Sequence, residues 1–146
     1  MRVVIQRVRK AKVSVGDKVL GQINEGVIIL VAVEDRDNEE DIEWLTNKII
    51  SLRIFDDKDH IMNLNIKEVK EEILVVSQFT LFASTKKGNR PSYSKASKPE
   101  VAIPLYENFV NTLELELGKK VQTGVFGADM KVALVNDGPV TIMLEK

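Results

Sequence analysis

Apolar and polar residues alternate over residues 2–8 (RVVIQRV), with Val3 and Ile5 on one face, and this period of two predicts a β-strand. Residues 12–15 and 19–23 continue in the same style on either side of Gly16-Asp17, the pattern of a hairpin. Residues 27–33 (VIILVAV) do not alternate, and a continuous β-branched run suits a strand buried on both faces. After Asp37-Asn38 the period changes. Ile42, Leu45, Ile49 and Leu52 recur at three- and four-residue spacing behind Glu39, Glu40 and Asp41, whose charges favour a helix N-terminus. Trp44 sits beside that stripe and reads as packing.

Residues 56–60 (DDKDH) form a polar turn, and residues 72–81 (EILVVSQFTL) another strand. Residues 83–98 have no period and carry Gly88, Pro91 and several serines, which predicts a long loop; such loops in compact domains tend to be functional. A second helix carries Leu105, Phe109, Leu113 and Leu117 on one face and stops at Gly118. Pro104 is tolerated only near a helix start, so the regular part is expected to begin there. Strands over residues 121–125, 130–135 and 140–144 close the chain. Between the last two lies Asn136-Asp137-Gly138-Pro139, more punctuation than a chain reversal requires. The order predicts one α+β domain over residues 1–146: a mostly antiparallel, barrel-like sheet with two main helices.

Composition narrows the function. The net charge of −1 excludes a strongly basic nucleic-acid coat but not a local basic patch. With no cysteine and only His60, thiolate chemistry is impossible and a transition-metal site would need mostly carboxylates, so no metal or cofactor is expected. No apolar run approaches the roughly 20 residues that span a bilayer, and no cleavable signal precedes the first strand. The expectation is a soluble, cytoplasmic protein. There is no nucleophile elbow, phosphate-binding loop or dinucleotide fingerprint.

Three stretches stand apart from the core pattern. In SQFTL, Ser77, Gln78 and Thr80 interrupt a strongly apolar strand; their side chains can orient a ligand, and N–H groups leaving the sheet can hold an oxyanion. The plainer reading is a strand end closed by side chain–backbone hydrogen bonds. The loop TKKGNRPSYSKASK places Lys86, Lys87, Arg90, Lys95 and Lys98 around Tyr93 without an acid before Glu100. Arg2, Arg7, Arg9, Lys10 and Lys12 form a second basic group, and the two together hold ten of the 21 basic residues, which favours an RNA phosphate surface over a merely solvated loop. Gly138-Pro139 is either an edge-strand turn or a rigid unit presenting carbonyl oxygens, and periodicity does not choose between them.

MRVVIQRV, SQFTL, KGNRPSYS and QTGVFGADMKVALVNDGPVT, in this order and spanning essentially the whole chain, resemble the D-aminoacyl-tRNA deacylases. The resemblance implies a metal-free homodimer that hydrolyses the ester of D-aminoacyl-tRNA, and of glycyl-tRNA mischarged on tRNA(Ala). It implies that Gly138-Pro139 is cis, inserts into the partner's active site and excludes L-amino acids, with Ser77 and Gln78 shaping the substrate pocket. Backbone N–H groups of Phe79 and Thr80 would polarise the ester, leaving the Thr80 hydroxyl as the rival nucleophile. Arg7, Lys86, Lys87, Arg90 and Lys95 would contact tRNA phosphates. A non-catalytic RNA-binding module and a hydrolase of another acyl ester are the alternatives.

Overall fold

The computed structural model describes residues 1–146. Strand β1 (Arg2–Val15) runs unbroken and turns at Gly16, φ +54°, into β2 (Lys18–Ile23); β3 (Gly26–Ala32) follows. Helix α1 (Glu39–Ser51) starts in a reciprocal cap: the Asn38 side chain accepts from Glu40 N–H (2.9 Å), and Asp41 accepts from Asn38 N–H (3.1 Å). The polar turn at residues 56–60 joins β4 (Phe55–Asp56) to β5 (Met62–Leu64), and α2 (Ile66–Val69) precedes β6 (Glu72–Ser77). A 3-10 turn (Phe79–Phe82), the long loop, α3 (Pro99–Leu117), β7 (Gln122–Thr123) and β8 (Lys131–Glu145) complete the chain.

Four expectations are corrected. The strand predicted over residues 72–81 ends at Ser77, where the chain enters the 3-10 turn. Helix α3 begins at Pro99 rather than near Pro104; the carbonyl that Pro104 leaves unbonded is that of Glu100, in the first turn, where water reaches it. The strand expected over residues 121–125 shrinks to Gln122–Thr123. Most consequential, NDGP does not reverse the chain. Residues 131–135 and 140–144 belong to one strand, β8, antiparallel to β1, and Met130 lies just before it.

Register explains the extra punctuation. Gln6 pairs with Thr141 and Val8 with Asn136, so Arg7 alone faces residues 137–140, and those residues bulge out of the ladder. On the far side, Val8 pairs with Asn136 and Lys10 with Val135, which makes Arg9 the extra residue of β1. A pair of opposed bulges thus keeps one long strand in register around a protruding Gly-Pro unit.

The sheet runs β2-β1-β3-β6-β7, with β8 on the other edge of β1; β1 pairs are antiparallel, while β3–β6 and β6–β7 are parallel. It curls into a nearly closed barrel-like sheet. At Gly21 an added Cβ would lie 2.7 Å from the Thr123 carbonyl, so β2 and β7 approach as bare backbones. Alternate residues of β3 and β6 feed two cores. Val27, Ile29, Val31, Ile73 and Val75 pack against α1 and α3, whereas Ile28, Leu74 and Val76 meet Val8, Val13 and Ile23. This is why both strands read as continuous apolar runs.

Gly26, φ +152°, closes β3 against β6: an added Cβ would lie 2.0 Å from the Glu72 carbonyl oxygen. Gly26→Ala is expected to cost at least about 2 kcal/mol in urea unfolding, against about 1 kcal/mol for Gly16→Ala, where nothing lies within 4 Å of the new methyl. Equal losses would show that the close approach is not what demands glycine.

Candidate active site

The site grows from the end of β6. Ser77 still pairs with Val31, and Gln78 N–H donates to Val31 O (2.7 Å); then the chain leaves the sheet. The first bond inside the 3-10 turn is Leu81 N–H to Gln78 O (3.1 Å), so the N–H groups of Phe79 and Thr80 have no acceptor within the turn. Two contacts fix its far end: Phe82 is buried beneath the Arg2 guanidinium, 4.8 Å from the ring centroid, and Arg2 Nη1 donates to Leu81 O (2.7 Å). The Gln78 side-chain amide donates to the Thr80 hydroxyl. That amide is no base, and His60 lies in the β4–β5 turn, so nothing in contact with Thr80 would take its proton.

Ser77, Gln78 and Phe79 form one side of a cavity of about 280 Å³. Tyr106, Phe126 and Met130 form much of the rest, and these three were not singled out from sequence. Tyr106 stands edge-on to Phe126, with centroids 5.8 Å apart, and its hydroxyl donates to Val75 O (3.4 Å). Its burial follows helical spacing with Phe109 and Leu113, so that wall was legible; Phe126 and Met130 come from an aperiodic loop and carried no such signal. An added Cβ at Gly124 would lie 2.4 Å from Met130 Sδ, so this glycine gives the methionine its place. No group of three His, Cys, Asp or Glu side chains is placed to hold a metal ion.

Gly138 and Pro139, joined by a cis peptide, do not line this cavity. They protrude from the β8 bulge and are exposed. Arg7 fastens their base: its Nε donates to Asp137 O (3.2 Å) and lies 3.4 Å from the Asp137 carboxylate, while Nη1 donates to Ile54 O (2.6 Å) and faces Asp56 at 3.6 Å. Arg9 grips the same Asp137 carboxylate (3.1 Å), and its own guanidinium pKa is raised, chiefly by the hydrogen bond to Glu25 and then by Asp137. Gly138 has φ +116°, and a Cβ there would lie 3.1 Å from Arg7 Nη2. Arg7, expected at a phosphate, is only 8% exposed and has its guanidinium engaged with Asp137, Ile54 and Asp56, so it holds the loop in place.

The rest of the strand group is likewise partly committed, Arg2 to Glu145 (2.8 Å) and Arg9 as above. Lys86, Lys87, Arg90, Lys95 and Lys98 are all exposed, and none takes part in an ion pair. Their loop is pinned by reciprocal Ser84–Ser92 backbone bonds (2.8 and 2.9 Å), and by Ser97, whose N–H donates to Val33 O (2.9 Å) and whose hydroxyl donates to Asp35 (2.7 Å). Tyr93 meets Phe79 edge to face, with centroids 5.1 Å apart.

Among known proteins, residues 4–145 match the family described as D-Tyr-tRNA(Tyr) deacylase. A D-aminoacyl-tRNA deacylase of Flavobacterium psychrophilum is 66% identical over 145 residues, 99% of this chain and 97% of that one. One from Porphyromonas gingivalis is 64% identical over the same shares. A solved structure titled c-Myc DNA Unwinding Element Binding Protein superposes with a TM-score of 0.92 at 37% identity, covering 100% of this chain and 99% of that one. A probable eukaryotic D-amino acid tRNA deacylase gives 0.84 at 20% identity over 98% and 97% of the chains, a likeness of fold.

Burial in the cavity wall pushes the Tyr106 phenol up from 10.0 to about 12. A phenol raised in the folded state gives its full stability below about pH 10 and loses it as pH climbs towards about 12. Tyr106→Phe is expected to abolish a late step in the phenolate absorbance titration. It should also flatten the fall of unfolding free energy over that window, by roughly 3 kcal/mol. Persistence of the late step in the variant would contradict this placement of Tyr106.

Proposed function

The chain belongs to the D-Tyr-tRNA(Tyr) deacylase family, and from that premise we propose that it hydrolyses D-aminoacyl-tRNA by backbone electrostatics, with chirality read by a second copy of itself. The observation that carries this reading is the turn at Phe79 and Thr80, whose N–H groups have no acceptor within it and whose residue Phe79 borders an apolar cavity. The terminal adenosine of the tRNA enters that cavity beside Gln78, with Phe79 as a wall. The ester carbonyl oxygen sits against the two N–H groups, which stabilise the negative charge that develops when water adds to the carbonyl carbon. The neighbouring ribose hydroxyl helps move the proton. The bond from the acyl carbon to the ribose oxygen then breaks, that oxygen takes the proton, and free D-amino acid and tRNA leave. The Thr80 hydroxyl only accepts from the Gln78 amide and has no base beside it, so the attack is assigned to water rather than to Thr80.

Selection of the D form belongs to Gly138-Pro139. A pocket that merely prefers one hand gains a few kcal/mol from contacts, at about 1.4 kcal/mol per tenfold. Rigid carbonyl oxygens do better: they grip the α-ammonium and occupy the space an L side chain would need. Glycine, lacking a side chain, passes, so glycyl-tRNA mischarged on tRNA(Ala) is also a substrate. Because this dipeptide stands outside its own cavity, it serves the cavity of a partner. Exposed Val132, Leu134 and Met143, on one side of β8, offer the apolar face on which a symmetric homodimer closes.

The unpaired loop cations Lys86, Lys87, Arg90 and Lys95 hold the phosphates of the tRNA, with an affinity that falls as salt rises. A cytoplasmic setting follows from the substrate, and no helix is long and apolar enough to cross a membrane.

With D-tyrosyl-tRNA and L-tyrosyl-tRNA assayed in parallel, only the D ester is expected to be cleaved. Thr80→Ala should keep kcat/KM within about tenfold of the parent, because the backbone donors remain. A loss of about a thousandfold or more would instead make Thr80 the nucleophile. Cleavage of both esters would remove the chiral role of Gly138-Pro139.

A further inference from the structure

The Phe79–Tyr93 pair is unusual for where it lies. Phe79 is 55% exposed and Tyr93 37% exposed, so neither ring is there to fill a core. They meet edge to face at an interplanar angle of 73°, an arrangement in which one of the two rings has neither face covered by the other, whereas a stacked pair would cover a face of each. Phe79 borders the cavity and Tyr93 does not, so the pair runs from the cavity mouth outward onto the cationic loop. Arg90, Lys95 and Lys98 flank Tyr93 in that loop, all exposed and without carboxylate partners. Exposed aromatic faces beside unpaired cations are the combination that single-stranded nucleic acid recognises: bases stack, and phosphates find charge.

We infer that Tyr93 and Phe79 form a stacking platform for the nucleobase that precedes the terminal adenosine, so that the enzyme reads two nucleotides of the single-stranded tRNA end. This rests on the reading of the cavity as the terminal adenosine site. The loop is anchored well enough to present the platform, because Ser84 and Ser92 pair through their backbones on one side of Tyr93 and Ser97 is tied to Val33 and Asp35 on the other. Tyr93 touches no reacting atom. It is a binding residue whose contribution falls on substrate affinity and leaves the chemical step alone. Stacking is sequence-tolerant, so the platform adds affinity for every tRNA and fits an enzyme acting on many of them.

The test compares D-tyrosyl-tRNA with D-tyrosyl-adenosine, which keeps the amino acid and the terminal nucleoside but has no preceding base. Tyr93→Ala is expected to raise KM for the tRNA ester roughly tenfold with kcat unchanged, and to leave the adenosine ester unaffected. Tyr93→Phe, which keeps the ring, should behave like the parent. Removing the base before the terminal adenosine should bring parent and Tyr93→Ala to the same KM. Equal losses on both esters would mean that Tyr93 props Phe79 or stacks on the amino-acid side chain, and would overturn the platform. Affinity for uncharged tRNA, with and without that base, is measured alongside. If no ester is cleaved by the parent, the deacylase reading fails, while the platform still stands or falls on whether Tyr93→Ala weakens binding of intact tRNA only.

Discussion

The guanidinium of Arg7 is the interaction on which the rest of the account depends. It is the lone β1 residue opposite a bulge that carries four residues on β8, and it meets that bulge at both the backbone and the carboxylate of Asp137. Its Nη1 reaches both Ile54 O and Asp56, so a single buried cation joins the edge strand to the β4–β5 hairpin. A planar fork suits this task, since several donors must point at fixed acceptors at once, and a lysine ammonium has no such preset directions. Two carboxylates around one buried cation would leave surplus negative charge. Arg9, the extra residue of the opposing bulge, supplies a second cation to Asp137.

With the loop so held, the proposed reading divides the labour between two kinds of backbone. At the end of β6 the chain turns early and leaves the N–H groups of Phe79 and Thr80 without an acceptor in the turn, donors of the kind that would favour the charge developing on an ester oxygen. At the β8 bulge it presents a glycine and a proline, neither of which offers a polar side chain. On that reading neither place needs a titrating residue, in a chain that lacks cysteine and has a single histidine. Tyr106, Phe126 and Met130 supply much of the apolar wall of the cavity beside that turn.

Much of this was legible in the sequence because local physics and tertiary structure agree there. The Asn38 cap, the doubly buried β3, the Gly118 stop and the exposed cations of the long loop all appear as their residue types predict. The most consequential error has a tertiary cause: long-range pairing overrode a local signal. NDGP has every mark of a reversal, yet β1 is long enough to pair on both sides of it, so the turn residues became a bulge. Arg7 looked like its basic neighbours because its partners, Asp56 and Asp137, are remote in sequence. The short β5 and α2 were too brief to show any period.

Hydrolysis of D- and L-tyrosyl-tRNA by Arg7→Lys tests the central claim most directly, with the unfolding midpoint recorded to confirm a folded protein. Lysine keeps the charge and loses the fork, so the Gly138-Pro139 unit is no longer held at a fixed angle. The ratio of D to L hydrolysis is expected to fall by at least about tenfold, with L-tyrosyl-tRNA becoming a measurable substrate. An unchanged ratio in a folded variant would contradict that claim, because chirality would then be read by something that Arg7 does not hold.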